Sequence, residues 1–156
     1  EDIFEHIDHL VAVATEELDF SLLAKTIRES IEQNEPRAAL DRLHTYTVKY
    51  FRKLCDKHGI SGGKDKPLHS IFGEYIKHID KHGYIETEMT RRILKTSISL
   101  FESLNPVRND KSFVHNNPLL NYDESMLIFN NITALILFIE SIEKKINEQF
   151  NFDLPF

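Results

Sequence analysis

Apolar side chains recur at three- and four-residue spacing along almost the whole chain, which is the period of an amphipathic helix. The strongest example lies between Pro36 and Gly59, where a broad apolar stripe predicts a core helix that ends at the glycine. The same period predicts helices over residues 2–18, 21–34, 68–82, 86–104 and 123–150. Strand signals are few, so the pattern predicts an all-α bundle of about five or six helices.

Local signals predict where these helices begin and end. Ser21 is expected to cap the second helix and Asp123 the sixth, because their side-chain oxygens can accept from the first backbone N–H groups. Asn105-Pro106 is expected to end the fifth helix, since proline has no N–H to donate. Residues 60–67 are rich in glycine and lysine and predict a flexible loop. The fifth helix is expected to turn the following residues inward: Met89, Ile93, Leu94, Ile98 and Phe101.

The last predicted helix carries no charged residue between positions 126 and 139. Such a helix must be covered on most sides, either by the bundle or partly by a second subunit. No apolar run is expected to cross a bilayer, and no basic-then-apolar signal opens the chain. The single cysteine, Cys55, suits a reducing compartment, so the sequence predicts a cytoplasmic protein without a membrane partner.

The net charge of −6 argues against a nucleic-acid protein until its distribution is considered. Residues 1–36 hold two basic and ten acidic side chains, residues 37–111 fifteen and nine, and residues 112–156 two and six. The cations therefore concentrate in the middle of the chain, where they could attract a phosphate backbone with strong salt dependence. They form three clusters: Lys49, Arg52, Lys53 and Lys57; Lys64 and Lys66; and Arg91, Arg92 and Lys95. An equally good interpretation is a solvated charged face on ordinary helices.

Arg108 and His115 form the pair of residues with the clearest chemical meaning. An RNA chain carries its own nucleophile, the 2′-hydroxyl, so its cleavage needs a base for that proton and a cation for the charge that develops on phosphorus. Imidazole titrates near neutrality and guanidinium offers a planar fork to phosphate oxygens, so this pair could cleave RNA.

Spacing alone does not single this pair out. Arg37 and His44 are also seven positions apart, and Arg52 and His58 are six apart, but both of these pairs lie where the pattern predicts continuous helix. Arg108 follows the expected helix end and His115 precedes Asn116-Asn117-Pro118, which predicts a loop. Loops held between rigid elements often carry functional groups, which favours Arg108 and His115.

Two segments resemble the abortive-infection C-terminal domain of the HEPN superfamily over roughly residues 36–147. They are the run from Leu104 to His115 with the apolar helix after it, and Arg37-Ala38-Ala39-Leu40. The resemblance implies a small helical bundle with an Arg-x(4–6)-His motif at a symmetric dimer interface. Many such proteins are metal-independent endoribonucleases of bacterial phage-defence or toxin–antitoxin systems. Relatives often have Gly after the histidine, where this chain has Asn116, and one toxin branch has Tyr where this chain has Asn117.

The resemblance implies a role for individual residues. Arg108 and His115 would be catalytic and Asn109 supporting, with no metal and no cofactor. The nearby cations Lys111, Lys64 and Lys66 are expected to bind RNA. The expected partners are RNA and a second copy of the chain in a homodimer. An antitoxin is a further candidate.

Residues 1–35 are expected to form an acidic helical extension, residues 36–150 the HEPN-like bundle, and residues 151–156 a tail. Two interpretations compete with RNA cleavage. The bundle could bind RNA, a nucleotide or a protein without catalysis, or it could be a dimerisation domain of a longer protein with an N-terminal effector domain, since the chain begins at Glu1. His78 and His82 are four positions apart, which is also a metal-ligand spacing, although exposed helix histidines give the same pattern.

Overall fold

The computed structural model describes residues 18–60, 65–109 and 121–153. These residues form five α-helices and no strand: α1 (Leu18–Glu32), α2 (Pro36–Lys57), α3 (Leu68–Lys81), α4 (Glu88–Asn109) and α5 (Tyr122–Asp153). The predicted all-α fold is therefore confirmed. The first predicted helix, residues 2–18, lies almost wholly outside the described residues.

Helix contacts divide the chain into two units. In one unit, α2, α3 and α4 pack against one another in all three pairs. Its core contains an aromatic cluster to which each helix contributes: Phe51 from α2, Phe72 and Tyr75 from α3, and Phe101 from α4. The rings of Phe72 and Phe101 meet edge to face with centroids 4.7 Å apart, and those of Phe51 and Phe72 at 5.0 Å. This geometry is the favoured one for aromatic pairs.

In the other unit, α1 packs on α5. The helix α1 buries Ala24, Ile27 and Ile31 at the spacing of one helix face. Helix α5 is long and apolar enough, by length and composition, to cross a membrane over Tyr122–Phe152, contrary to the sequence prediction. Half of its most apolar window is buried inside the protein, which is what the core helix of a globular domain also shows.

Glycine ends two of the helices as predicted. Gly59 and Gly83 follow α2 and α3 with φ of 66° and 80°, a region that residues with a Cβ enter only with strain. The amide of Tyr84 donates to the carbonyl of Ile79, and that of Gly83 to Asp80, which together satisfy the last carbonyls of α3.

Four predicted details of the helices were wrong. Helix α1 already begins at Leu18, so Ser21 lies inside it. Asn121 caps α5 in place of Asp123, because its Oδ1 accepts from the amide of Glu124 at 2.8 Å. On α4, Met89 is 70% and Ile93 54% exposed, since the buried stripe begins further along, at Leu94, Ser97, Phe101 and Leu104.

The fourth error concerns the end of α4, which continues past Pro106 to Asn109. Proline removes its own N–H from the helix ladder and its ring crowds the carbonyl four residues earlier, which can kink a helix without ending it. The expected end of this helix at Leu104 was therefore placed too early.

Candidate functional site

Arg108 and Asn109 lie in the last turn of α4, not in the loop that the sequence predicted. The correction follows from the continuation of α4 through Pro106. A rigid helix therefore fixes the backbone of Arg108 up to the point where the described residues stop. His115 and Lys111 lie outside the described residues, so the convergence of Arg108 and His115 on one site stays a prediction.

Of the predicted RNA-binding lysines, some lie within the described residues and some outside them. Lys64 lies outside the described residues, whereas Lys66 is described and is half-buried just before α3. The guanidinium of Arg52 approaches the backbone carbonyl of Lys66, with Nη2 and the oxygen 3.4 Å apart. Both residues line a cleft of about 360 Å³ between α2 and the start of α3, and Lys49 lines it as well. The described part of the chain therefore brings three of the predicted cations together.

Arg91 and Arg92 were grouped with these cations in the sequence but are engaged differently. Arg91 donates to both oxygens of Asp80 and to Glu88, and Arg92 donates to Glu88. The hydrogen bonds from Arg91, and then its charge, hold the pKa of Asp80 below its usual range, and Arg91 and Arg92 do the same for Glu88. The charge of this cluster is thus largely neutralised within the protein.

The two alternative Arg–His pairs lie where the sequence predicted. Arg37, His44 and Arg52 are on α2, and His58 follows its last residue directly. A rise of about 1.5 Å per residue separates Arg52 from His58 by about 9 Å and Arg37 from His44 by about 10.5 Å along the helix axis. His44 is 7% exposed, so little of its imidazole is open to a substrate.

Three histidines lie together beside the aromatic core. The rings of His58 and His78 have centroids 5.2 Å apart, and those of His78 and His82 4.3 Å. Nδ1 of His82 lies 2.8 Å from the carbonyl oxygen of His78. Among the residues that the structure describes, no group of three or more histidine, cysteine, aspartate or glutamate side chains has a metal-binding arrangement.

Cys55 is a poor candidate for a nucleophile. It is buried, and its Sγ lies 3.8 Å from the carbonyl oxygen of Ile71. Burial, followed by the nearby charges of Asp56 and Glu74, raises the pKa of the thiol to about 11. The thiol is therefore protonated at neutral pH, whereas the thiolate is the reactive form.

A family model described as the Abi_C HEPN-like domain matches residues 23–143. The match covers well over half of the chain and includes both Arg108 and His115. The chain belongs to the HEPN-like domain family. No curated protein and no solved structure matches the chain significantly.

Membership of the HEPN-like family confirms the resemblance and the fold inferred from the sequence. The matched range of the HEPN-like domain begins inside α1, before Pro36, and ends inside α5. The boundary between an acidic extension and the bundle at residue 36 stays a prediction.

The cleft was not predicted from the sequence, although one of its walls follows a regular spacing. Thr45, Val48, Lys49 and Arg52 follow the spacing i, i+3, i+4, i+7 and so share one face of α2. The contribution of residues 65–68 could not be read in this way, because no periodicity fixes where a loop returns to a helix.

Proposed function

We propose that this protein is a metal-independent endoribonuclease of a bacterial phage-defence or toxin–antitoxin type system, and that it acts in the cytoplasm. The observation that carries the proposal is the HEPN-like match over residues 23–143, within which Arg108 and His115 form an Arg-x6-His motif. HEPN-like proteins that cleave RNA use an arginine and a histidine at this type of spacing.

In the proposed reaction, the 2′-oxygen of the substrate attacks the adjacent phosphorus and displaces the 5′-oxygen of the next nucleotide. His115 removes the 2′-proton or protonates the leaving 5′-oxygen, and Arg108 stabilises the charge on the pentavalent phosphorane. The products are a 2′,3′-cyclic phosphate and a 5′-hydroxyl. Asn109 could orient the phosphate.

This chemistry requires a base and an acid, whereas one motif supplies one histidine. Two motifs that face each other across a two-fold axis would supply both, so the proposal includes a homodimer. A surface of α5 supports it, because Leu127, Asn131 and Ala134 are exposed within the stretch of residues 126–139 that carries no charge. Leu127 is 62% exposed.

The backbone position of Arg108 also fits the proposed role. Arg108 lies on α4, a continuous helix of 22 residues. A group that must stabilise developing charge acts best when a rigid element positions it beforehand. The cations Lys66, Lys64 and Lys111 would hold the RNA strand in this proposal.

The first test is cleavage of end-labelled RNA by the purified protein in excess EDTA, with the new ends identified chemically. We expect cleavage to persist in EDTA and to leave cyclic phosphate and 5′-hydroxyl ends. His115→Ala should reduce the rate by roughly a hundred- to ten-thousand-fold, because a proton-transfer group is lost. Arg108→Ala should reduce it by about a hundred- to a thousand-fold through lost charge stabilisation.

Matched controls are His82→Ala and Arg37→Ala, which change exposed residues of the same types. Both should leave the rate nearly unchanged. Cleavage that survives both motif substitutions would disprove the assignment of the motif. If no RNA is cut under any condition, the chain is better described as a non-catalytic HEPN-like binding and dimerisation module, an interpretation that the cleft with three cations also favours.

A further inference from the structure

The cleft between α2 and the start of α3 has the size and the lining of a ligand site. Its volume of about 360 Å³ falls within the range of small-molecule sites, about 300–1,000 Å³. Its described lining residues belong to α2, to the segment before α3 and to the start of α3.

The charged residues of the cleft favour an anion. Lys49 and Arg52 lie one turn apart on the exposed face of α2, and Lys66 reaches the cleft from the segment before α3. The contact of the Arg52 guanidinium with the carbonyl oxygen of Lys66 joins these two walls. Against the three cations, Asp65 is the one carboxylate among the described lining residues. The described lining residues thus carry a net formal charge of +2.

The start of α3 adds to the positive potential at the same place. Pro67 is the capping residue of this helix and Leu68 its first residue, and both line the cleft. A proline side chain has no acceptor, and no side chain caps this end of α3 in the described structure. The first N–H groups of a helix carry a partial positive charge and commonly bind phosphate or sulfate.

The remaining walls are not those of a simple ion site. The half-buried side chain of Val48 supplies apolar surface, and the buried imidazole of His44 also lines the cleft. A bare inorganic ion would use the cations alone, whereas a phosphorylated organic molecule would also cover the apolar wall. The net charge of +2 matches the two negative charges of a phosphomonoester better than the single charge of a phosphodiester.

We propose that this cleft binds the terminal phosphate of a phosphomonoester, with the phosphate held by Lys49, Arg52, Lys66 and the start of α3. The organic part of the ligand lies against Val48. The phosphomonoester could belong to the 5′-end of an RNA or to a small phosphorylated metabolite. The proposal does not depend on RNA cleavage by Arg108 and His115.

The test compares three probes by calorimetry with the full chain: a short RNA with a 5′-phosphate, the same RNA with a 5′-hydroxyl, and ribose 5-phosphate. To prevent turnover, every 2′-hydroxyl of the RNA is methylated, which blocks the attacking oxygen. Tighter binding of the 5′-phosphorylated strand than of the 5′-hydroxyl strand supports an RNA end as the ligand. Saturable binding of ribose 5-phosphate supports a small metabolite.

Variants locate the binding. Arg52→Gln and Lys66→Ala should each weaken phosphomonoester binding by roughly tenfold, and Arg52→Lys by less, since it keeps the charge but loses the planar fork. The matched control is Lys77→Ala with Lys95→Ala, in a second groove between α3 and α4 that is also lined by three lysines and one aspartate but not by a helix start. These changes should leave the affinity unchanged.

A measurement that does not depend on the variants is the shift of backbone amide resonances during titration with ribose 5-phosphate. The largest shifts should occur at Lys66, Leu68 and His69. Two results would overturn the proposal. The first is that ribose 5-phosphate does not bind and that a 5′-phosphate gives the RNA no gain in affinity. The second is that Arg52→Gln and Lys66→Ala leave the affinity for a phosphomonoester unchanged. Either of these results would leave the proposed function intact, provided that unmodified RNA with a 5′-phosphate and unmodified RNA with a 5′-hydroxyl are still cleaved at equal rates.

Discussion

At the scale of single residues, Arg91 shows how one side chain changes the meaning of a charge pattern. Its guanidinium joins α3 to the first turn of α4 through Asp80 and Glu88, with contacts of 3.0 and 2.7 Å. In the sequence it belonged to a cluster of cations that could have bound RNA. The pattern of charges predicted which face is basic, but not which of its members are neutralised, because the acidic partner Asp80 belongs to the preceding helix.

The ion pair of Asp80 with Arg91 predicts a dependence of stability on pH. The pKa of Asp80 is lowered in the folded protein from its usual 3.8, so the ionised carboxylate stabilises the fold above that value. This stabilisation is lost as the pH falls through the lowered folded pKa. Asp80→Asn should therefore lower the melting temperature at pH 7, and the difference from the wild type should shrink below about pH 4.

Thermal unfolding followed by circular dichroism at pH 7, 5 and 3 would measure this difference. Glu102→Gln is a suitable control, because Glu102 is an exposed carboxylate in the middle of α4. A penalty for Asp80→Asn that is equally large at pH 3 would show that the ion pair is not its cause.

At the scale of elements, three of the helices end in the same way, and the sequence predicted two of these ends. Gly59 and Gly83 predicted the ends of α2 and α3, since glycine is the usual residue in the left-handed conformation that follows a helix. Asn34 adopts the same conformation after α1 with φ of 63° and was less conspicuous. The end of α4 was placed too early, because a proline signals a lost hydrogen bond but not whether the helix stops there.

Gly83 should be intolerant of a side chain for reasons of backbone conformation alone. A Cβ at this position would meet nothing within 4 Å, so the expected penalty for Gly83→Ala comes from the φ of 80°. The left-handed region costs an L-residue about 1–2 kcal/mol, and the free energy of unfolding should fall by that order. Gly83→Asn should cost less, because asparagine enters this region more readily.

The matched control is Gly73→Ala, inside α3. There the Cβ would lie 3.6 Å from Cδ1 of Ile98, an ordinary van der Waals contact, and the backbone is helical. Alanine in a helix interior is better than glycine by roughly 0.5–1 kcal/mol, so this variant should be as stable as the wild type or more so. Urea titration measures both changes; equal effects of the two substitutions would contradict the argument from φ.

At the scale of the whole molecule, the sequence correctly predicted the class of fold and the family, because both depend on patterns that extend over many residues. Helical periodicity is repeated over many residues, so single errors such as the exposed Met89 and Ile93 do not change the class of fold. A site depends on where a few side chains meet, and no repeated pattern encodes that. The cations on α2 could be placed on one face, whereas their meeting with Lys66 depends on the path of the chain before α3.

The homodimer is the prediction at this scale that the proposed chemistry requires. Sedimentation at micromolar concentration should give twice the mass of the chain, because one motif supplies one histidine and the reaction needs two proton-transfer groups. Leu127→Glu would place a charge on the exposed, uncharged face of α5 and should shift the protein towards monomer. RNA cleavage should fall in parallel with the dimer fraction.

Ile93→Glu on α4 is the control, since Ile93 is similarly exposed at 54%, and it should preserve both dimer and activity. A wild-type protein that is monomeric at every concentration, yet cleaves RNA, would remove the two-motif mechanism and require a second acid or base from the same chain.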